Sequence, residues 1–369
     1  MNRVCILNAL QTSLSGGIGR YSYELSKSLY EKEKSNIKIV IREEDRKDFL
    51  FAKDEDLIIV KNIKSGIHRN IYEQIILPFK ARKINKNAIL HYPDSMAPLL
   101  ALNDVVITVH DLAFKTLKGA FTWKTALWKK IITPLSIIKA KKVVAITEFA
   151  KSEIYTHYRN IAKDKVVVVY NGFNNLNVEK NDRTEVIRNE KLKLNIDKPY
   201  ILTVSTISPR KNIDGLIKAF NIIKDKTECN LIVGGKNGWL YESVYETVEN
   251  LNLKERVIFT GSVTDYELSQ MYKNCALFVY PSFYEGFGLP PLEAMSYNKK
   301  CAVSNSTSIP EVVGSAGIYF DPSKVEDIAE KLLLALNRDI DVNLIQSVLN
   351  KFSWKKCADG VIKKVYDII

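Results

Sequence analysis

The sequence predicts an α/β protein of two domains built on the same plan. The chain has 369 residues, of which 46% are hydrophobic, and this length accommodates two α/β domains of ordinary size. Short runs of β-branched and aromatic residues recur, each followed by a glycine or polar loop and then by apolar residues at helical spacing. This order begins again after the charge-rich stretch Asn174–Lys198, which is therefore interpreted as the hinge between the domains.

The first half opens with a strand, a glycine loop and a helix. Val4–Leu7 is a short buried-strand pattern, and the loop Ser13–Gly19 follows it. Tyr21, Leu25 and Leu29 then fall at i, i+4 and i+8, which gives the helix one apolar stripe. Such a unit handles phosphates, although a tight turn that needs glycine explains the loop equally well.

A nicotinamide-dependent oxidoreductase is an alternative that this loop leaves open. Gly17-x-Gly19-x-x-Ser22 resembles a dinucleotide fingerprint but lacks its third glycine. The acidic pair Glu43-Glu44 follows the strand pattern Ile37–Ile41 at about the spacing that such a fingerprint requires.

His110 is a candidate ligand-binding residue of the first half. His110 and Asp111 directly follow a predicted strand, and polar residues at that end of a buried parallel strand face the ligand crevice. A structural role for an isolated histidine is the alternative. The remaining strands of the first half are predicted at Leu57–Val60, Ala88–Tyr92, Val105–Val109, Val143–Ile146 and Val166–Tyr170.

The segment Phe121–Lys142 combines lysines with large apolar residues at helical spacing, Trp123 and Trp128 among them. This pattern suits a helix resting on anionic lipid headgroups. A helix packed against the sheet is the alternative, and in a mixed arrangement the Trp side chains lie inside while the lysines face the bilayer.

The second half repeats the plan, with two cations at its first loop. The strand Tyr200–Ser205 runs into Thr206, Arg210 and Lys211, and a helix with an apolar face follows. Cations at a helix entry suit a diphosphate because they neutralise the charge on a leaving phosphate. A solvated charge pair is the alternative. Further strands are predicted at Asn230–Val233 and Val257–Thr260, and a last helix at Ser353–Ile369.

The stretch after the strand Ala276–Tyr280 has the plan of a phosphate site. Gly286 and Gly288 let the backbone approach a ligand, and a helix is expected to begin near Pro290. Unpaired amides and the helix dipole favour a bound phosphate at such a point.

Two carboxylates frame this glycine loop. Glu285 precedes the glycines, and Glu293 is expected in the first helical turn. Carboxylates so placed can hold two hydroxyl-bearing parts of one ligand on either side of a diphosphate. The alternative is that Glu293 only complements the helix dipole and Glu285 is solvated.

Charge and cysteine usage narrow the class of protein. The net charge of +12 fits nucleic acid, anionic membranes or phosphorylated ligands, but the chain carries no recognisable nucleic-acid-binding motif. Five scattered cysteines predict buried, reduced thiols in a cytosolic protein without a zinc site.

The aspartate triplets Asp54–Asp56 and Asp339–Asp341 are interpreted as solvated and not as metal ligands. No apolar run reaches the length of a spanning helix, and the N-terminus is interpreted as a strand and not as a signal peptide.

The segment Phe283–Met295, FYEGFGLPPLEAM, resembles the E-x7-E signature of retaining glycosyltransferases of family 4. Three further elements match that family in the same order: GG-x-G-R-Y at Gly16–Tyr21, H-D at His110, and S-P-R-K-N at Ser208–Asn212. The stretch Ile71–Lys83 resembles the same region of bacterial polysaccharide mannosyltransferases.

The resemblance implies the GT-B fold, in which two Rossmann-like domains face each other across a cleft. It implies an N-terminal acceptor-side domain over residues 1–185 and a C-terminal nucleotide-sugar donor domain over residues 186–353. The final helix, 354–369, is expected to pack back on the first domain.

The same resemblance assigns roles to individual residues. The catalytic set is His110, which helps to position the donor sugar, Arg210 and Lys211, which stabilise the departing diphosphate, and Glu285, which holds the sugar. Thr206 stands where many members carry an arginine, so Arg210 is inferred to supply that charge. Donor binding is assigned to Gly17, Thr206, Gly286, Phe287, Gly288, Leu289 and, for the ribose hydroxyls, Glu293; Gly235, Lys236 and Val263 are placed on loops that border the base.

The implied reaction transfers a hexose with retention, without a metal or other cofactor, from a nucleotide diphosphate sugar. GDP-mannose is the favoured donor, and a UDP-sugar (glucose, galactose or N-acetylhexosamine) is the alternative. The implied acceptor is a lipid-linked or growing cell-surface polysaccharide at the cytoplasmic face of the membrane, where the enzyme would bind the anionic surface peripherally. No nucleic-acid partner is expected.

Overall fold

The computed structural model describes residues 3–11, 16–63, 65–117, 123–174 and 198–367, and the chain separates into two compact units. Unit 1 comprises Met1–Thr116, Thr122–Gly172 and Phe352–Ile369, and Phe173–Lys351 belongs to unit 2. The boundary predicted between residues 185 and 186 lies outside the described residues.

Unit 1 contains a seven-stranded sheet with the order β3-β2-β1-β4-β5-β6-β7, in which all paired strands are parallel. The strand order reverses between β1 and β4. The strands are β1 Cys5–Asn8, β2 Ile37–Arg42, β3 Leu57–Val60, β4 Ile89–Tyr92, β5 Asp104–Val109, β6 Lys142–Ala145 and β7 Val166–Val168.

Unit 2 contains a six-stranded parallel sheet with the order β10-β9-β8-β11-β12-β13, which reverses between β8 and β11. These two sheets confirm the predicted α/β class. The strand at Cys301–Ser304 was not among those predicted. The strands are β8 Tyr200–Val204, β9 Asn230–Gly234, β10 Val257–Gly261, β11 Leu277–Tyr280, β12 Cys301–Ser304 and β13 Gly317–Phe320.

Amphipathic helices connect the strands and bury their apolar stripes. The predicted stripe Tyr21, Leu25 and Leu29 is buried in the first of them. The α-helices of four or more residues are Gly17–Glu33, Gly66–Ile71, Leu77–Ile84, Ala113–Thr116, Trp123–Lys139, Glu148–His157, Ile213–Ile223, Glu242–Asn250, Asp265–Asn274, Leu289–Ser296, Ile309–Val313, Val325–Asn337, Val342–Leu349 and Trp354–Val361; π-helical turns occupy Tyr72–Ile76 and Ile362–Tyr366.

The segment that follows unit 2 packs into unit 1. Its residues Trp354, Ala358, Val361 and Val365 are buried on one stripe. Lys32 of the first helix pairs with Asp359 at 2.6 Å, and these elements all lie within unit 1.

The prediction for the cysteines is confirmed, but the prediction that Asp56 is solvated is wrong. The five cysteines are free and buried, as expected. Asp56 is not solvated: it is buried and accepts hydrogen bonds from the Tyr30 hydroxyl at 2.8 Å and from Lys38 Nζ at 2.6 Å. Asp54, at the other end of the triplet, is exposed as predicted. Among the described residues, no helix is both long and apolar enough to cross a bilayer.

Candidate functional site

The candidate site of unit 2 lies where the strand order of its sheet reverses. The loops that follow β8 and β11 leave neighbouring strands on either side of this point. In an open parallel sheet, ligands bind outside the carboxyl ends of the strands at such a reversal. The first loop carries Arg210 and Lys211, and the second carries Glu285 and the glycines.

The two loops are joined by a cluster of one carboxylate and two cations. Lys211 Nζ lies 2.5 Å from Glu285 Oε1, and Arg210 Nη1 lies 3.2 Å from Glu285 Oε2. Arg210 Nη1 also donates to the Tyr284 carbonyl at 3.0 Å, and Lys211 Nζ donates to the Tyr280 hydroxyl at 3.1 Å. The structure therefore brings together three of the four predicted catalytic residues.

The cluster is largely removed from water. Glu285 is 6% exposed, and the side chain of Lys211 is 11% exposed. Burial on its own would raise the pKa of Glu285, but the Coulombic attraction of Lys211 and Arg210 outweighs it and lowers that pKa to about 2. Glu285 is therefore a buried, ionised group and not a solvated one, and each cation already faces a negative charge.

A third loop, which follows β12, holds Glu285 in place through Thr307 and Ser308, two residues that the sequence analysis did not identify. The Glu285 amide donates to Thr307 Oγ1 at 3.0 Å, and Ser308 Oγ donates to the Glu285 carbonyl at 2.9 Å and to the Phe287 carbonyl at 3.3 Å. Thr307 has a positive φ of 56°, which is uncommon for a β-branched residue. The available signal was the run of hydroxyl residues that follows β12, beside β11 in the sheet.

The glycine loop ends where the next helix begins. Gly288 has a φ of 93°, and a Cβ at this position would lie 2.6 Å from Ile309 Cδ1. The left-handed backbone conformation therefore favours glycine, whereas the contact could be relieved by a shift of the flexible Ile309 side chain. The helix Leu289–Ser296 starts directly after it, with prolines in its first turn. Phe287 is buried.

Glu293 lies one turn deeper than predicted. The helix begins at Leu289, so Glu293 is its fifth residue and the first turn contains no acidic residue. Glu293 is buried, and its Oε2 accepts a hydrogen bond from the Tyr272 hydroxyl at 2.9 Å. The alternative that Glu293 complements the helix dipole from the first turn is wrong, and a tyrosine of a neighbouring helix orients its carboxylate.

The predicted base-side loops lie beside the loop that follows β8. The Gly235 amide donates to the Gly261 carbonyl at 2.9 Å, and the Ile207 amide donates to the Lys236 carbonyl at 3.0 Å. Gly235 has a φ of 129°, and a Cβ there would lie 2.0 Å from the Ser205 carbonyl oxygen. Thr206 and Lys236 are exposed, and Val263 is half-buried.

The two predicted residues of unit 1 have different surroundings. Gly17 is the exposed first residue of the helix Gly17–Glu33, and a Cβ there would meet open space. His110 follows β5, and its Nε2 lies 2.9 Å from the Pro93 carbonyl oxygen. Burial is the main cause that lowers the pKa of His110, so its neutral form is favoured.

Within the described ranges, no group of three or more histidine, cysteine, aspartate or glutamate side chains is placed to hold a metal ion. Asp341, in the second of the two aspartate triplets considered from the sequence, caps a helix. It accepts a hydrogen bond from the Leu344 amide at 2.9 Å at the start of the helix Val342–Leu349. Metal-independent transfer stays a prediction.

Two family models match the chain one after the other. The model described as "Glycosyltransferase Family 4" matches residues 15–175, and that described as "Glycosyl transferases group 1" matches residues 186–347. Neither describes a nicotinamide enzyme or a nucleic-acid-binding protein.

Among curated proteins, the chain is similar to "O-antigen chain mannosyltransferase B" of Escherichia coli. The two are 29% identical over 364 residues, which cover 94% of each. It is also 34% identical over 235 residues to "Serotype-specific mannosyltransferase WbdA" of Escherichia coli, covering 61% of this chain but 28% of that one.

Solved structures match over almost the whole chain. A glycosyltransferase from Rickettsia africae has a TM-score of 0.73 at 21% identity, with 100% of this chain and 99% of that one covered. HepE from Anabaena, solved in complex with UDP and glucose, also has a TM-score of 0.73, at 17% identity, with 99% and 100% covered. At these identities the likeness shows the fold, which is the predicted GT-B class.

Proposed function

Because this chain belongs to glycosyltransferase family 4 and is a hexosyltransferase of polysaccharide synthesis, we propose that unit 2 binds a nucleotide diphosphate sugar at the cluster of Arg210, Lys211 and Glu285. The observation that supports this most directly is the pairing of two cations with one buried carboxylate where the strand order reverses. The backbone amides of Gly288 and Leu289, where the next helix begins, can donate to a phosphate close to Glu285, whereas Pro290 and Pro291 have no N–H.

The cluster suits a reaction in which a diphosphate departs. The acceptor hydroxyl oxygen bonds to the anomeric carbon, the bond from that carbon to the diphosphate breaks, and the hydroxyl proton passes to the leaving phosphate on the same face, so configuration is retained. Lys211 and Arg210 stabilise the charge that develops on the diphosphate. Glu285 holds both cations in place and accepts hydrogen bonds from the sugar, while Glu293 accepts from the ribose hydroxyls and His110 contacts the sugar.

We further propose that the donor is GDP-mannose. This rests on the named mannosyltransferases of Escherichia coli to which the chain is similar. A UDP-sugar is the second candidate, because HepE, with the same fold, was solved with UDP and glucose.

Nucleotide binding is the first test. In a thermal-shift screen of GDP, UDP, dTDP and their sugars at equal concentration, GDP and GDP-mannose are expected to raise the unfolding temperature most. A ligand at about 100 times its Kd stabilises a protein by about 2.7 kcal/mol. Transfer measured with and without a chelator tests metal independence. A larger shift with UDP would replace the donor, and no shift with any nucleotide would contradict the site.

We propose that the acceptor is a lipid-linked polysaccharide at the cytoplasmic membrane face, and that unit 1 binds this membrane. The helix Trp123–Lys139 buries Ile132 and Ile137 and leaves the opposite stripe exposed, with Trp123 at 72% exposure. One face of the helix therefore packs and the other meets solvent, and Trp123 and Trp128 lie on the exposed face and not inside. The exposed side chains are Trp123, Leu127, Trp128, Ile131, Leu135 and Ile138.

A second helical stretch and one loop extend this apolar surface. Phe79 is 68% exposed and Leu100 is 81% exposed. The exposed apolar side chains are Ile67, Ile71, Ile75, Ile76, Phe79 and Ile84 on the stretch 66–84, and Leu100 and Leu102 on the loop. We call the stretch 66–84, the loop 99–102 and the helix Trp123–Lys139 the docking surface.

Hydrogen bonds tie the three parts of the docking surface together. Lys139 Nζ donates to the Ala101 carbonyl at 2.5 Å, and the Leu99 amide donates to Gln74 Oε1 at 3.4 Å. The loop is therefore attached to both helical parts, which supports one continuous surface.

The excess of basic residues in the helical parts of the docking surface favours an anionic membrane. Residues 66–84 and 123–139 together contain eight lysines and arginines but one acidic residue, Glu73, which is buried. Basic and aromatic helix faces bind anionic lipid surfaces through headgroup attraction and burial of apolar side chains. The docking surface is thus complementary to an anionic bilayer.

Vesicle binding tests the docking surface. The full-length protein is expected to sediment with vesicles that contain phosphatidylglycerol and not with pure phosphatidylcholine, and salt should weaken the binding. The triple variant W123S/W128S/I131S is expected to bind about tenfold or more weakly. The control I222S/L334S changes exposed apolar residues of unit 2 and should bind like the wild type. Equal losses in both variants, or equal binding to both lipids, would contradict the assignment.

A further inference from the structure

The His110 ring is fixed from two directions. Its Nε2 faces the Pro93 carbonyl oxygen at 2.9 Å, and because a carbonyl only accepts, Nε2 carries the ring proton. The Tyr21 ring packs at right angles to the imidazole, with a centroid distance of 4.8 Å and an interplanar angle of 88°. The hydrogen bond provides a pivot, and the tyrosine restricts rotation about it.

Tyr21 is itself held by buried neighbours. It is fully buried, its hydroxyl lies 3.2 Å from Thr108 Oγ1, and its ring lies 5.9 Å from that of Trp354. Thr108 belongs to β5, the strand that ends immediately before His110. The same strand therefore carries His110 and anchors the side chain that packs against it.

The polar contacts continue from Thr108 through His91 to Tyr366. Thr108 Oγ1 lies 3.1 Å from His91 Nε2, and His91 Nδ1 lies 2.6 Å from the Tyr366 hydroxyl. Burial lowers the pKa of His91 to about 3, so this imidazole is neutral at physiological pH, with one donor and one acceptor nitrogen. All residues of this buried series of polar contacts lie in unit 1, and Tyr366 belongs to the segment that follows unit 2.

We propose that Tyr21 is a positioning residue that acts through His110, and that the chain Thr108–His91–Tyr366 fixes Tyr21. The inference rests on the proposed contact of His110 with the donor sugar. With Nε2 committed to Pro93, Nδ1 is the nitrogen that accepts a hydrogen bond from a sugar hydroxyl. Ring orientation then decides whether this acceptor meets the hydroxyl, because small displacements of a positioning group reduce turnover strongly.

Kinetics of a double-mutant cycle test the proposal. Y21L is expected to lower kcat about tenfold, whereas Y21F keeps the ring and should lose about two- to threefold. In the H110A background, Y21L should cause no further loss, because a residue that acts through another has no effect once its partner is gone. Nucleotide-induced thermal shifts should be unchanged in both tyrosine variants.

A spectroscopic readout separates positioning from general destabilisation. The chain has four histidines, so comparison with H110A assigns the His110 signals in ¹⁵N-edited spectra. The wild type and Y21F should show the Nε2-protonated tautomer of His110, and Y21L should show a mixture. If Y21L does not fold, T108V replaces it: its loss of kcat should match that of Y21F, and the two losses should not add.

An equal effect of Y21L with and without His110, or an unchanged kcat, would overturn the proposal. If the wild-type enzyme neither bound a nucleotide nor transferred a sugar, the proposed function itself would be contradicted.

Discussion

Lys211→Ala is expected to lower kcat for sugar transfer about 100- to 1,000-fold, the range seen when one preorganised group that stabilises a developing negative charge is removed. Lys211 Nζ is held 2.5 Å from Glu285 and 3.1 Å from the Tyr280 hydroxyl, so its charge is fixed before any ligand binds. Steady-state rates of transfer to an acceptor saccharide provide the measurement. Most of the loss should appear in kcat, because the charge on the diphosphate is largest as the bond breaks.

Two control variants make this result specific. Lys218→Ala removes an exposed lysine of the next helix, which pairs with Asp214 at 2.6 Å, and should leave kcat unchanged. Lys211→Ala also leaves Glu285 buried beside Arg210 alone, which is expected to destabilise unit 2. The double variant K211A/E285Q removes the buried charge of Glu285 and should recover stability but not turnover. If activity returned together with stability, Lys211 would be a structural residue and its assignment as a catalytic one would be wrong.

Glu293→Ala is expected to weaken the binding of the nucleoside diphosphate about 10- to 100-fold, because buried charged groups contribute most to hydrogen bonding. Its carboxylate is buried and held by the Tyr272 hydroxyl at 2.9 Å. Isothermal titration with the nucleotide that gives the largest thermal shift measures the effect.

The neighbouring variants distinguish contact with the ligand from packing. Tyr272→Phe keeps the carboxylate and should reduce affinity less than Glu293→Ala does. Glu330→Ala removes an exposed glutamate of the helix Val325–Asn337 and should leave the affinity unchanged. Wild-type affinity in Glu293→Ala would refute the ribose-binding role.

The parts of this protein that depend on local sequence were predictable. The runs of β-branched residues predicted most strands because buried parallel strands need continuous apolar side chains. The glycine loop and the prolines of Leu289–Ser296 predicted a helix start to within one residue, but that one residue moved Glu293 out of the first turn.

Contacts between distant residues were not predictable from these patterns. Lys211 and Glu285 are separated by 74 positions, and only the pairing of β8 with β11 brings their loops together. Thr307 and Ser308 hold Glu285 through hydrogen bonds to and from the backbone, which leave no spacing pattern in the sequence. The exposed isoleucines of the stretch 66–84 have the helical spacing of core residues, so exposure was decided by tertiary structure.

The discontinuity of unit 1 has a consequence for biosynthesis. Its sheet is complete in sequence by Val168, but its closing segment begins only at Phe352. As the ribosome extends the chain, unit 2 is therefore fully synthesised before unit 1 can bury Tyr366 against His91. Premature termination before Phe352 would release a nascent polypeptide in which the sequence of unit 2 is complete, but the apolar surface of unit 1 still lacks its final cover.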